Sequence, residues 1–294
     1  MFRTLPQFEY VSPETIPETL TLLNEYGRKA KVLAGGTDLI SEMKWGEYKP
    51  DYVIALSHVS GLDNIGYDEK EGLKLGAMCK IAQIEKSDVI KRNYPLLSQA
   101  ASVLASMEIR NRATIGGNLC TAAPSADMPP SLLALEAKAV IASKDGERVL
   151  PLEEFFAGPK KTILSHDEIL VRLEVPSVKP NSAGEYVKFG RRRAMEIAMI
   201  GVAALLTVEP EENRCIDAKL ALATAAPTPI RAKEAEKVLI GKTVDTDIIE
   251  EAAQTASKEA SPRTSWRTTE EYRRDLIPVL VRRAIQTAFK KIGS

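Results

Sequence analysis

The sequence predicts an α+β fold built in two parts. Three observations predict it. Residues 15–56 alternate helix and strand signals, the mark of a small α/β unit with parallel strands. Residues 186–225 hold three long apolar runs with no helix between them, and residues 232–290 hold three helical patterns. Between the two parts, Pro176-Ser-Val-Lys-Pro-Asn-Ser-Ala-Gly184 has the composition of a domain linker.

The first helix is announced by Thr15-Ile-Pro-Glu18, which has capping-box spacing with a proline suited to the first turn. Ile16, Leu20 and Leu23 share one face, and Gly27 marks the stop. Lys31-Val-Leu-Ala34 reads as a buried strand running into Gly35-Gly36, followed by a short helix near residues 37–44 and a strand at Tyr52–Leu56. Asn64–Tyr67 and Leu73–Ala77 flank a charged turn and read as a hairpin. Helices are expected at Ile81–Lys86, at Leu96–Ala105 with Pro95 opening it, and after Asp127 with Pro129 and Pro130 in the first turn. A hairpin spans Ala139–Leu150 around Lys144-Asp-Gly146, and Ile169–Val175 is one more strand. Beyond the linker, strands are expected at Tyr186–Gly190, Ala198–Val208 and Cys215–Ala225, and helices at Ala232–Leu239, Ile248–Ser257 and Glu270–Lys290. The last helix opens on Thr268-x-x-Glu271. It is expected to turn Tyr272, Leu276, Val279 and Leu280 inward, and Pro278 should bend it or break its ladder.

Composition narrows the function. The 40 basic and 40 acidic side chains balance, which disfavours a nucleic-acid partner. No apolar run approaches the ~20 residues that a membrane span needs. The start, Met1-Phe-Arg-Thr-Leu-Pro-Gln-Phe8, lacks a signal peptide's apolar region, so a cytoplasmic location is expected. Cys79, Cys120 and Cys215 are scattered, so no zinc or iron–sulfur site is encoded locally. They are expected to be reduced and mostly buried. The two histidines, His58 and His166, supply neither a metal site nor a catalytic triad, and both read as structural or surface residues.

Two glycine pairs carry the candidate site: Lys31-Val-Leu-Ala-Gly-Gly-Thr-Asp38 and Arg110-Asn-Arg-Ala-Thr-Ile-Gly-Gly-Asn-Leu-Cys-Thr-Ala-Ala-Pro-Ser-Ala-Asp127. Glycine lets backbone approach a ligand, and consecutive N–H groups can cradle phosphate oxygens. Two such loops imply one ligand with two phosphates held from two sides, with Arg110 and Arg112 as further phosphate partners. Neither loop fits the P-loop, the Rossmann G-x-G-x-x-G or the G-x-S-x-G nucleophile elbow.

These residues resemble the FAD-binding medium subunit of molybdenum hydroxylases, the family of bacterial xanthine dehydrogenase, carbon monoxide dehydrogenase and nicotinate dehydrogenase. The likeness covers nearly the whole chain. It rests on Lys31–Asp38, on Ala113–Asp127 with its Thr-Ile-Gly-Gly-Asn core, on Lys188-Phe-Gly-Arg-Arg-Arg-Ala-Met-Glu-Ile-Ala198 and on Tyr272-Arg-Arg-x-Leu…Val281-Arg-Arg-Ala284. It implies an FAD domain of the vanillyl-alcohol-oxidase (PCMH) type over residues 1–177, in subdomains of about 1–57 and 58–177. It also implies a C-terminal domain over 185–290, with a three-stranded antiparallel sheet and three helices.

By the same likeness the backbones of Ala34, Gly35, Gly36, Thr37 and Asp38, and of Thr114, Ile115, Gly116, Gly117 and Asn118, would hold the diphosphate. Lys31, Val32 and Leu33 would line the first loop. Asp127 would accept hydrogen bonds from sugar or ribityl hydroxyls. Leu104 and Leu170 would be apolar contacts and Lys188 a basic one. Valine at Gly116 or Gly117 is expected to abolish FAD binding with the fold intact. The alternatives are an ordinary exposed Lys188, a purely core Leu170 and an Arg191–Arg193 run that is either a solvated face or a partner-facing patch.

The resemblance also implies the partners. This chain lacks the cysteines for [2Fe–2S] clusters and shows no molybdopterin site, so a small iron–sulfur subunit and a large molybdopterin subunit would complete a heterotrimer. Electrons would pass from the clusters through FAD to an acceptor such as NAD(P)⁺, with no catalytic residue needed here. Some relatives, the 4-hydroxybenzoyl-CoA reductases, carry a cysteine-rich insertion; three scattered cysteines argue against it. Two rival readings stand beside this one: a stand-alone FAD oxidoreductase of the same fold, and an assembly subunit without FAD.

Overall fold

A computed structural model describes residues 4–192 and 194–292. Its first unit is a parallel sheet of order β1-β3-β2, made from β1 (Glu9–Val11), β2 (Ala30–Leu33) and β3 (Tyr52–Ala55), with α1 (Ile16–Tyr26) and α2 (Leu39–Trp45) between strands. Thr15 caps α1 by accepting from the Glu18 N–H at 3.2 Å. The Glu18 carboxylate reaches the Glu14 N–H, at 2.9 Å, one residue short of a full capping box. Leu20 and Leu23 are buried as expected. The sequence reading missed β1, whose three residues are too few to show a period.

The second unit is an antiparallel sheet of order β4-β5-β10-β6-β7. Both expected hairpins form, β4 (Ile65–Asp68) with β5 (Gly72–Gly76) and β6 (Lys138–Ser143) with β7 (Gly146–Pro151). Six helices pack over the sheet: α3 (Ile81–Lys86), α4 (Asp88–Asn93), α5 (Pro95–Ser102), α6 (Met107–Arg110), α7 (Ile115–Thr121) and α8 (Met128–Ala134). Strands β8 (Phe156–Gly158), β9 (Lys161–Thr162) and β10 (Ile169–Val175) complete the unit. Leu73, Leu75, Ile141 and Leu173 of the sheet meet Leu96, Leu97, Leu119 and Leu132 of the helices in one core. Helix α5 stops at Ser102, short of the expected Ala105, whose φ of 45° is incompatible with a right-handed helix. The Gly116-Gly117 pair, expected in a loop, lies in α7.

The third unit corrects the expected three-stranded sheet. It has four antiparallel strands in sequence order, β11 (Ser182–Phe189), β12 (Ile200–Glu209), β13 (Arg214–Ala223) and β14 (Ile230–Arg231). The fourth strand has two residues and follows Pro227-Thr-Pro229, which carries no strand signal. The sheet is buried on both faces. Ile200, Val202, Ala204 and Leu206 pack against α9 (Lys233–Leu239), α10 (Thr246–Glu259) and α11 (Glu270–Lys290), while Tyr186, Ala203 and Ala221 join the core of the second unit. Two-sided burial explains the uninterrupted apolar runs.

Helix α11 is capped by Thr269, one residue after the expected Thr268. Its inner face is also shifted: Arg273, Ile277, Leu280, Val281 and Ala284 are buried, Leu276 and Val279 are half-buried, and Tyr272 is exposed. Pro278 does not end the helix. It has no N–H for the carbonyl of Arg274, and that carbonyl accepts from Ser257 Oγ of α10 at 3.1 Å instead.

Candidate cofactor-binding site

A cleft of about 530 Å³ opens between the parallel-sheet unit and the rest of the molecule. One wall is the turn that leaves β2 and enters α2, at the carboxyl end of a parallel strand, where open α/β sheets bind ligands. The opposite wall is α7 with the loop leading to α8.

The two glycine pairs do come together, in a way their sequence does not show. A Cβ on Gly35 would overlap the carbonyl of Arg112, so this glycine is needed for the two walls to touch. A Cβ on Gly116 would stand 2.7 Å from both the Cβ and the carbonyl oxygen of Ala77. That space is required by packing, so valine at Gly116 tests the fold and not the cofactor, contrary to expectation.

The walls also differ in their free donors. Around Gly116 the N–H groups already have partners: Ile115 donates to the Cys79 carbonyl (2.9 Å), Gly116 to that of Ala77 (2.8 Å), Gly117 to Thr114 Oγ1 (3.1 Å) and Asn118 to the Thr114 carbonyl (3.0 Å). The N–H groups of Gly35, Gly36, Thr37 and Asp38 meet no acceptor among the described residues. The α7 wall contributes a side-chain acceptor, the buried Asn118 Oδ1, which has no partner among the described residues. Thr121 Oγ1 ties the walls together by donating to Asp38 Oδ2 at 3.1 Å.

Asp127 closes the end of the α7–α8 loop. It is 6% exposed, pairs with Lys188 Nζ at 2.7 Å and accepts from the Tyr186 hydroxyl at 2.9 Å. Burial pushes its carboxyl above the ordinary value, outweighing the lowering by Lys188 and Tyr186. The Tyr186 phenol is held well above its own ordinary value, first by burial and then by the Asp127 charge. Lys188 also donates to the Val103 carbonyl at 3.0 Å. It is therefore neither an ordinary exposed lysine nor part of the cleft lining; it acts on the cleft through Asp127.

Of the sequence-predicted residues, Lys31, Val32, Ala34, Gly35, Gly36, Thr37, Asp38, Leu104, Thr114, Gly116, Gly117, Asn118, Asp127 and Leu170 line the cleft. Leu33, Ile115 and Lys188 do not, and Ile115 is wholly buried in the core. Arg110 is held by Glu85 at 2.8 Å and by the Leu104 carbonyl, so its guanidinium is already engaged by protein groups. Arg193 of the basic run lies outside the described residues. Cys79 and Cys215 are buried, whereas Cys120 opens into the cleft, whose walls push its thiol up to about 12. Both histidines are at the surface.

Sequence reasoning missed Tyr48, Met78, Ile109, Thr121 and the segment Met195–Ile197. Tyr48 stacks under Lys31, with the amine 4.3 Å from the ring centre. The Met195 N–H donates to the Ala105 carbonyl at 3.1 Å, which brings a loop of the third unit to the rim. These contacts span long sequence distances, and only Thr121, four residues from Gly117, was within reach of a spacing argument.

A cleft of this size, mostly apolar, with an open N–H row and few polar groups, fits a dinucleotide with an aromatic ring. Comparison with known proteins agrees. The FAD binding domain in molybdopterin dehydrogenase matches residues 6–178, and the CO dehydrogenase flavoprotein C-terminal domain matches residues 185–288. The chain is 32% identical to the xanthine dehydrogenase FAD-binding subunit of Escherichia coli, over 97% of each chain. It is 33% identical to the glyceraldehyde dehydrogenase medium chain of Sulfolobus acidocaldarius, over 96% of this chain and 98% of that one. The solved carbon monoxide dehydrogenase of Hydrogenophaga pseudoflava, in a form lacking the Mo-pyranopterin moiety, superposes with a TM-score of 0.95 at 30% identity, covering 99% of this chain and 100% of that one. The chain therefore belongs to the xanthine dehydrogenase and carbon monoxide dehydrogenase family as an FAD-binding medium subunit, the flavoprotein part of a molybdenum oxidoreductase.

Proposed function

We propose that this subunit holds FAD between a small [2Fe–2S] subunit and a soluble acceptor, NAD(P)⁺, in a cytoplasmic heterotrimer completed by a large molybdopterin subunit. The observation that carries the reading is the pairing, in one cleft, of the N–H groups of Gly35–Asp38, without acceptors among the described residues, with the Asn118 Oδ1 that has no donor among them. The four N–H groups would donate to the diphosphate without adding net charge, while Asn118 Oδ1, an acceptor, would receive a ligand hydroxyl or amino group. Asp127, fixed by Tyr186 and Lys188, would accept from a sugar or ribityl hydroxyl. Leu104 and Leu170, both buried, would pack on the ring and keep water from it. When bound, FAD gathers electrons singly from clusters and delivers them in pairs.

We further divide the chain into a PCMH-type domain over residues 1–177, with subdomains of about 1–57 and 58–177, and a C-terminal domain over 185–290. The acceptor reading is tested by turnover of the purified complex with NAD⁺, NADP⁺, ferredoxin and a quinone in parallel. Pyridine-nucleotide reduction at the rate of substrate oxidation supports it. Turnover with the quinone or ferredoxin alone rejects NAD(P)⁺ while leaving the FAD assignment in place.

A further inference from the structure

We propose that the turn carrying Trp266 and Arg267, with Arg191 and Arg263, is an anion site at the cleft rim that takes the phosphate groups of a nucleotide. The turn is tightly built. Ser265 N–H donates to the Thr268 carbonyl at 2.9 Å, and Arg267 N–H to Ser265 Oγ at 3.3 Å. This leaves Trp266 at the tip, 78% exposed. The Arg267 guanidinium lies 4.2 Å and that of Arg191 5.6 Å from the indole centre, and Arg191 donates to the Arg267 carbonyl.

Among the described residues none of Arg191, Arg263, Arg267 and Arg273 forms an ion pair, in a chain that carries as many acids as bases. The neighbouring carboxylates are engaged elsewhere, Glu196 with Arg192 and Glu270 with Arg274, each at 3.1 Å.

Beneath the turn sits the second observation. Arg273 is 3% exposed, and its Nε has no partner among the described residues. It donates only to neutral groups, the carbonyls of Met199 (3.1 Å) and Thr224 (3.3 Å) and Ser265 Oγ (2.9 Å). Burial, then the charges of Arg263 and Arg267, push it below the ordinary arginine value. A solvated basic face needs no buried cation without a counterion, and such a cation is costly. An anion held by the guanidiniums above it offsets that cost.

Size and chemistry favour a nucleotide. Guanidinium forks match phosphate oxygens, and an exposed indole offers a stacking face for a base. The cluster is confined to one turn and its flanks, which is small for a protein interface. Arg192, next to Arg191, pairs at 3.1 Å with Glu196 of the cleft wall, and Gly190 lies against the same side chain, so a bound nucleotide would lie beside the cofactor. The assignment of that nucleotide as the acceptor rests on the NAD(P)⁺ reading above; the anion site itself does not.

The test uses the full chain loaded with FAD, so that the cleft is occupied. Trp45→Phe leaves Trp266 as the only indole of the two. ADP, inorganic pyrophosphate, adenosine and poly-glutamate are titrated against its fluorescence. Saturable responses to ADP and pyrophosphate are expected, with none to adenosine at the same concentrations. Arg267→Gln should weaken ADP binding about tenfold, the loss of one charge-assisted contact, with flavin content unchanged. No saturable response to ADP, an unchanged affinity in Arg267→Gln, or binding of poly-glutamate in place of ADP would overturn the proposal. ADP binding in a complex that reduces no NAD(P)⁺ would support the site and reject only the acceptor assignment.

Discussion

Asp127 is pulled in two directions by its surroundings. Burial raises its pKa and Lys188 lowers it, with burial the larger effect. A carboxyl whose folded pKa lies above its unfolded value contributes stability that is present at low pH and lost as pH rises through the folded value. Lys188→Met removes the lowering partner, so that loss should deepen. Breaking so buried a pair costs about 3–5 kcal/mol. Urea unfolding should show this penalty near pH ~7 and a smaller one near pH ~4, where an ordinary aspartate is half protonated. Equal penalties at both would mean that Asp127 is not the group responding. Gly116 makes a separate prediction: Gly116→Ala should cost about 1–3 kcal/mol of stability, because the added methyl meets the Ala77 backbone. Unchanged unfolding would mean that the α7 packing relaxes freely. That Asp127 faces the cleft was legible through the family likeness, but its pairing with Lys188 and Tyr186 was not, nor was the packing of Gly116 on Ala77. The glycine pair announced a close approach, but the partner in that approach is protein, and spacing alone does not distinguish the two.

Among the elements, those with several periods of pattern were readable. The two hairpins, α1 and the long α11 formed where the apolar periodicity and turn residues placed them. Helices α4, α6 and α7, four to seven residues long, and the two-residue β14 carry less than two turns or one alternation, so no period could be counted. The expected inner face of α11 stands one residue from the observed one, which includes the buried Arg273, a residue type that apolar periodicity does not count. The Pro278 break expected in this helix is absorbed by Ser257, and this can be measured. Ser257→Ala should cost about 1 kcal/mol by orphaning the Arg274 carbonyl. In a Pro278→Ala background, where a helix N–H is restored, most of that cost should vanish. A double-mutant cycle by thermal unfolding reads the coupling; additive effects would show that the hydroxyl does not replace the missing bond.

For the molecule as a whole, the linker composition pointed to two separable parts, yet the sheet of β11 to β13 is buried on both faces. Tyr186, Ala203 and Ala221 belong to the core that also contains Leu96 and Leu132. Residues 185–290 expressed alone should therefore expose an apolar face, bind a hydrophobic dye and self-associate. A dye-silent monomer would show that the two cores are independent. The same coupling places Lys188 behind Asp127 and Met195–Ile197 on the cleft rim, contacts that no local motif could report.

The central claim is that Gly35–Asp38 and Asn118 hold FAD in this cleft. Its most direct test is the flavin content of the purified chain beside that of Asn118→Leu, with circular dichroism confirming that both are folded. One FAD per chain is expected in the parent, and loss of most of it in Asn118→Leu, recoverable only at higher added FAD. A folded parent chain that neither retains flavin nor rebinds added FAD, or an Asn118→Leu variant with undiminished affinity, would contradict it.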